Sequence, residues 1–285
     1  MKNIKMIVVL LLIVSLLYGC TMEKAQNLDT SNSGEMGETT PSEELSDEEK
    51  YPEVIECGAL EGYLTPESLE SNTPCQVRLT KERTGPSPEE YSYPLYLSVD
   101  TGTQVFKKML VETTPWADID ELSLADVDGD GLQEILVHDN TGGVGGFGLW
   151  RVWVLELEGE EIRVLFENYN EFDTGFESRF LDGYQLEVSN YITGYRLVFD
   201  VKENHRRYYE ESGEVPSDGI MTDPFFEFIA EDVDGDGISE IICKQYTSIF
   251  GHSDYTGTAC SVLKFSKDWK TFVVVDAWYE PYIEE

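Results

Sequence analysis

The feature that most constrains this chain is a nine-residue pattern written twice. Asp126-Val127-Asp128-Gly129-Asp130-Gly131-Leu132-Gln133-Glu134 returns as Asp232-Val233-Asp234-Gly235-Asp236-Gly237-Ile238-Ser239-Glu240, at an offset of 232 − 126 = 106 residues. Each copy runs into an apolar stretch, Ile135-Leu136-Val137 in one and Ile241-Ile242-Cys243 in the other. Carboxylates packed into so short a loop repel one another unless a cation joins them. Asp at the first, third and fifth positions brings three carboxylates around a tightly turning backbone. The carbonyl of Leu132 or Ile238 at the seventh position supplies a further oxygen, and Glu134 or Glu240 at the ninth closes the shell. Calcium takes roughly six to eight oxygens and tolerates this mixed geometry, whereas magnesium holds to octahedral sites that keep several waters. The glycines between the acids permit positive φ and close backbone approach. The competing reading is a pair of solvated Asp-Gly turns between strands.

The flanks decide which kind of calcium loop this is. An EF-hand needs a bidentate Glu at its twelfth position and helices on both sides. Here the twelfth position is Val137 or Cys243. Residues 119–124 (IDELSL) and 225–230 (FFEFIA) read as strands, as do residues 135–137 and 241–242 after the loop. Strand, D-x-D-G-D-G-x-x-E, strand resembles the FG-GAP or VCBS-type repeat of integrin-like β-propeller blades and bacterial surface lipoproteins. The resemblance covers about 14 residues per copy, and the Phe-Gly and Gly-Ala-Pro signatures of the full repeat are not evident. It implies calcium held between the first two strands of a small antiparallel sheet.

Beyond each loop the plan repeats. Residues 135–138, 149–157 (LWRVWVLEL) and 162–166 read as strands in the first copy; residues 241–246, 258–265 (TACSVLKF) and 272–275 read so in the second. Residues 158–160 and 266–270 look like hairpin turns. A weaker similarity lies upstream, where residues 93–106 and 184–199 both read as hairpins. The expectation is an all-β domain over residues 51–285 with few helices. It is built from antiparallel meander repeats in two units, about 92–170 and 184–280. A β-propeller-like arrangement, small or partial, follows from the resemblance; four or five small blades or a compact pair of sheet modules are both open. Residues 51–91 are less regular, with a short turn at Pro66–Ser71 or 87–91.

The beginning of the chain reads as an address. Lys2 and Lys5 precede an apolar run over residues 6–17, too short for a comfortable membrane span of roughly 20 residues. It ends in Leu17-Tyr18-Gly19-Cys20, which resembles a bacterial lipobox. That resemblance implies cleavage of residues 1–19, diacylglycerol on Cys20 and a lipid-anchored protein on the outer face of a bacterial cell membrane. More than one acyl chain makes such anchoring stable. Residues 21–50 hold no aromatic residue and no hydrophobic periodicity, so they read as a disordered acidic tether.

Charge and the remaining motifs narrow the function. With 56 Asp plus Glu against 20 Lys plus Arg, the net charge is −36, which excludes a nucleic-acid binder of the usual cationic kind. Gly143-Val144-Gly145-Gly146-Phe147-Gly148 imitates a dinucleotide loop, but the strand-like LWRVWVLEL follows it where a helix is required. Four cysteines remain beside Cys20; three pairings are possible, and local bonds Cys57–Cys75 and Cys243–Cys260 are preferred over buried thiols. The three histidines, His138, His205 and His252, fit no catalytic motif, and no catalytic residue is assigned. The reading is a membrane-anchored β-repeat protein with two structural calcium ions that binds a surface protein or glycan. Its rival is an envelope polysaccharide hydrolase, which would need two opposed carboxylates in a cleft outside the loops.

Overall fold

The computed structural model describes residues 51–87, 90–113, 118–140, 150–168, 172–201, 220–249 and 255–282. The apolar run, Cys20, the acidic tether, the Gly-rich segment 141–149, His205 and His252 lie outside these residues. Among the described residues no helix is long and apolar enough to cross a membrane.

The fold is all-β, with four antiparallel sheets and one short helix among the described residues. The first sheet takes β1 (Val54–Gly62), β2 (Cys75–Glu82), β3 (Leu95–Asp100) and β4 (Val105–Val111) in chain order. The second takes β5 (Asp118–Ala125), β6 (Glu134–Asn140), β7 (Trp150–Glu158) and β8 (Glu161–Asn168). The third has three strands, β9 (Phe176–Leu181), β10 (Gln185–Asn190) and β11 (Arg196–Asp200). The fourth takes β12 (Met221–Glu231), β13 (Glu240–Ser248), β14 (Tyr255–Ser266) and β15 (Thr271–Pro281). The helix α1 (Pro66–Ser71) sits between β1 and β2. It is started by a capping box, in which Thr65 accepts from the Ser68 N–H and the Ser68 hydroxyl accepts from the Thr65 N–H.

Side-chain alternation explains how the sheets stack. On β2 and β3, Cys75, Val77, Leu79, Leu95, Leu97 and Val99 point to one face and are fully buried. They share a core with Ile135, Val137, Trp153 and Leu155 of the second sheet. The strand β6 is buried on both faces, because Leu136, between Ile135 and Val137, joins a second core. That core gathers Val152 and Val154 with Phe225, Phe228, Ile241, Leu263 and Phe272 of the fourth sheet. A third core joins Phe180, Leu186 and Val188 of the third sheet to Ala259 and Tyr279 of the fourth and to Ile249, just after β13. Each such side chain contributes about 1.5–3 kcal/mol when taken fully from water. The packing order is therefore first, second, fourth, third. Among the described residues no closed barrel or propeller ring is formed.

Two expectations are corrected here. The hairpin over residues 93–106 does not open a unit with the first acidic loop: β3 and β4 end the first meander, which begins at Val54. Likewise β10 and β11 belong to the separate third sheet, beside β9. The start of the first meander is hard to read because β1 carries Gly58 and Gly62 and a bulge between Glu56 and Gly58. Those glycines let β1 lie on β5: a Cβ on Gly62 would meet Leu124 Cδ1 at 2.4 Å.

The preferred disulfides are also corrected. Cys243 faces Ser261 and Cys260 faces Lys244 across the β13–β14 ladder, one step out of register, so the two thiols point to opposite faces. Cys75 faces Gly62, at the far end of β1 from the bulge where Cys57 lies. The Cys57 thiol donates to the Ile55 carbonyl at 3.7 Å.

Candidate metal centre

The two acidic loops close the first hairpin of the second and fourth sheets. The last β5–β6 pair is Ala125 with Glu134, and the last β12–β13 pair is Glu231 with Glu240. The first sheet has the same opening, ending at Gly62 with Cys75, but residues 63–74 carry α1 there in place of the D-x-D-G-D-G pattern.

The loops share five backbone-to-carboxylate bonds, and the second adds one more, from the Asp236 N–H to Asp232 at 3.1 Å. Asp126 accepts from the N–H groups of Gly129 at 2.7 Å and Gly131 at 3.0 Å; Asp232 accepts from Gly235 at 2.7 Å and Gly237 at 3.0 Å. Asp128 accepts from Asp130 at 2.9 Å, and Asp234 from Asp236 at 3.1 Å. Asp130 accepts from Leu132 at 2.8 Å, and Asp236 from Ile238 at 2.9 Å. Glu134 reaches back to the Val127 N–H at 2.8 Å, and Glu240 to the Val233 N–H at 3.0 Å. Five backbone donors thus aim into the first loop and fix the rotamers of its acids. Gly129 and Gly131 stand at φ 73° and 91°, the left-handed region that the turn demands.

This geometry gathers carboxylate oxygens that could hold a metal ion. Asp126, Asp128 and Glu134 each bring a carboxylate oxygen to within 4.8 Å of the others, and Asp232, Asp234 and Glu240 do the same. Asp130 and Asp236 stand outside these two triads. The donor set is all carboxylate, which suits a hard cation. Glu134 and Glu240 are buried, each 2% exposed, so each triad has a dry floor.

The two loops differ in what faces them from the next strand. One step beyond the Ile135–Leu155 pair, Glu156 stands opposite Glu134; one step beyond the Ile241–Leu263 pair, Lys264 stands opposite Glu240. Lys264 Nζ donates to Glu240 Oε1 at 2.6 Å, Asp234 Oδ2 at 2.8 Å and Asp236 Oδ2 at 3.0 Å. The second loop therefore contains an ammonium. Glu156 instead pairs with Arg163, which also reaches Glu158 at 3.3 Å. Sequence reading passed over Glu156 and Lys264, because only the strand register brings them to the loops.

The electrostatics follow from that difference. Burial pushes the Glu134 carboxyl up to about 8; the Val127 N–H opposes this, and Asp128, Asp130 and Asp126 add to it. Asp128 is raised by burial and by Asp130. In the second loop Asp236 is lowered, first by the Ile238 N–H and then by Lys264. Hydrogen bonds to Asp234, Glu240 and Asp236 hold the Lys264 ammonium above the usual lysine range.

The loops also touch each other. The Ser239 N–H donates to the Asp126 carbonyl at 2.8 Å, and Lys267 Nζ donates to the Gly129 carbonyl at 3.1 Å. The first loop makes the matching bond to the first sheet, with the Gln133 N–H donating to the Tyr63 carbonyl at 2.9 Å. Gln133 Oε1 accepts the Tyr63 N–H in return, at 3.0 Å.

A pocket of about 240 Å³ lies elsewhere, lined by Asp173 and Asp223 among others. Asp173 accepts from the Gly175 N–H at 2.8 Å and from the Tyr191 hydroxyl, so it serves a turn.

Residues 174–280 match the family described as the YybI C-terminal domain. The span takes in the third sheet, the second acidic loop and nearly all of the fourth sheet, and leaves the first two sheets outside. No curated protein matches the chain.

Proposed function

We propose that this chain is a membrane-anchored, extracytoplasmic β-repeat protein that is stabilised by calcium and binds a surface protein or a glycan. The observation that carries the calcium part is the triad Asp126, Asp128 and Glu134, converging within 4.8 Å and held by backbone donors. Calcium would draw on those carboxylates and replace their mutual repulsion with shared attraction. Its role is structural, because the ligands come from a loop that docks on both neighbouring sheets. We read the first, second and fourth sheets as copies of one blade-like unit. What supports this is that β5 packs against β1 and β12 against β5, with the same loop-to-neighbour hydrogen bond each time. Anchoring rests on Leu17–Cys20 and the apolar run before it.

Binding is preferred to hydrolysis because Asp173, which lines the pocket described above together with Asp223, is tied into a turn. Thermal melting of metal-stripped protein tests the calcium reading. Calcium at a hundredfold excess over its Kd stabilises a native-only site by about 2.7 kcal/mol. Millimolar calcium should restore the melting temperature more than equal magnesium does. No calcium binding at millimolar levels, with a melting curve unmoved by chelation, overturns it.

A further inference from the structure

The two loops share one sequence pattern and one hydrogen-bond scheme, yet they are not equivalent as cation sites. Resting on the calcium reading above, we propose that Lys264 is the built-in cation of the second loop, so that the chain binds a single calcium ion, at the first loop. The ammonium lies 2.6–3.0 Å from oxygens of Glu240, Asp234 and Asp236. Calcium would need those same oxygens at about 2.3–2.6 Å. Both cannot occupy one cradle, and entry of calcium requires Lys264 to leave three charge-assisted hydrogen bonds at once.

The first loop has the opposite arrangement. The matching strand position holds Glu156, which adds a carboxylate opposite Glu134. Its partner Arg163 sits on the far side, between Glu156 and Glu158, and makes no bond to the loop acids among the described residues. The Lys267 ammonium bonds the Gly129 carbonyl and no carboxylate of the triad, its charge acting on Asp128 only through space. One strand position, lysine or glutamate, thus decides whether a D-x-D-G-D-G-x-x-E loop is closed by its own chain or by an ion. The arrangement gives the fourth sheet a loop that keeps its shape in any calcium concentration. The second sheet's loop, wedged between the first and fourth sheets, is the one that responds.

Calcium titration of the full chain by calorimetry, with calcium alone as the ligand, tests this. The expected stoichiometry is one per chain, lost in Asp128→Asn and kept in Asp234→Asn. Lys264→Glu should raise it to two, and Glu156→Lys should lower it to none. Two ions bound by the unaltered chain, one lost with each Asp variant, would overturn the inference and leave the calcium reading intact. No ion bound by the unaltered chain would overturn the calcium reading itself. Should the Lys264 and Glu156 variants misfold, reductive methylation of the unaltered chain decides. Lys264 should stay protected relative to Lys270 with or without millimolar calcium, and calcium-induced exposure of Lys264 would overturn the proposal.

Discussion

The backbone N–H of Ser239 donates to the carbonyl of Asp126 at 2.8 Å, so the eighth residue of the second acidic loop is bonded to the first residue of the other. Gln133 makes the same bond to Tyr63, the residue after β1. The loops are thus rungs of one ladder across three sheets, and changes in one loop should be felt in the next.

Gly129 is where that coupling is tightest. Its φ is 73°, and a Cβ there would meet Ile238 Cδ1 at 2.4 Å. Gly129→Ala should lower stability by about 1–2 kcal/mol through backbone strain alone, with the clash added. Combining it with Ile238→Ala should recover the clash and leave the strain. Denaturant melts of the four-member cycle check this, and strictly additive effects would show that the loops do not touch there.

Gln133 is the side-chain tie between the first and second sheets. Gln133→Ala removes the acceptor of the Tyr63 N–H, at a cost of about 1 kcal/mol. For a domain of this size that is about 2–4 °C in melting temperature. Gln133→Glu keeps an acceptor and should stay close to the unaltered chain; a larger loss for Glu than for Ala would contradict the assignment.

Much of this was legible in the residues, for identifiable reasons. The acidic loops are local, so spacing alone places Asp126, Asp128, Glu134 and their counterparts. The strands β6, β7, β13 and β14 are long apolar runs beside hairpin turns, and they stand where the pattern put them. The strand β1 was not legible, because Gly58 and Gly62 are there to let β5 approach, a tertiary demand that leaves no alternation. The difference between Glu156 and Lys264 was hidden for a related reason. The offset between the two sheets is 240 − 134 = 106 residues at the loops but 264 − 156 = 108 at these two residues, because the chain between the paired strands is longer in the fourth sheet, so loop spacing does not match them. The disulfide expectation failed on parity: adjacent strands bring Cys243 and Cys260 close in sequence register but on opposite faces.

The cysteines should accordingly behave as buried thiols. Cys243 and Cys260 are 1% and 0% exposed. Burial raises the Cys243 thiol, and burial together with Glu280 pushes Cys260 up to about 12. Iodoacetamide at about pH 8 attacks thiolates, so both should stay unmodified in the native protein and react on unfolding. Peptide mass mapping reads the result. A Cys243–Cys260 disulfide in aerobically purified protein would contradict the register.

Glu134 should carry the pH signature of the first loop. Its carboxyl is raised from 4.5 to about 8 by burial, with the Asp128, Asp130 and Asp126 carboxylates adding to the effect. A carboxyl raised in the folded state takes up its proton more readily there than in the unfolded chain. Its contribution to stability is full below the unfolded value and is lost as pH rises through the folded one. The window therefore runs from about 4.5 to about 8. Metal-stripped protein should lose melting temperature progressively across that window. Calcium interacts with the carboxylate form, so it should flatten the decline and release protons when it binds near neutral pH. Glu134→Gln, which cannot ionise, should remove the decline in the stripped protein while weakening calcium binding. Melting curves of the stripped, unaltered chain that superimpose between about pH 5 and about pH 8 would show that Glu134 is not held protonated among the loop acids.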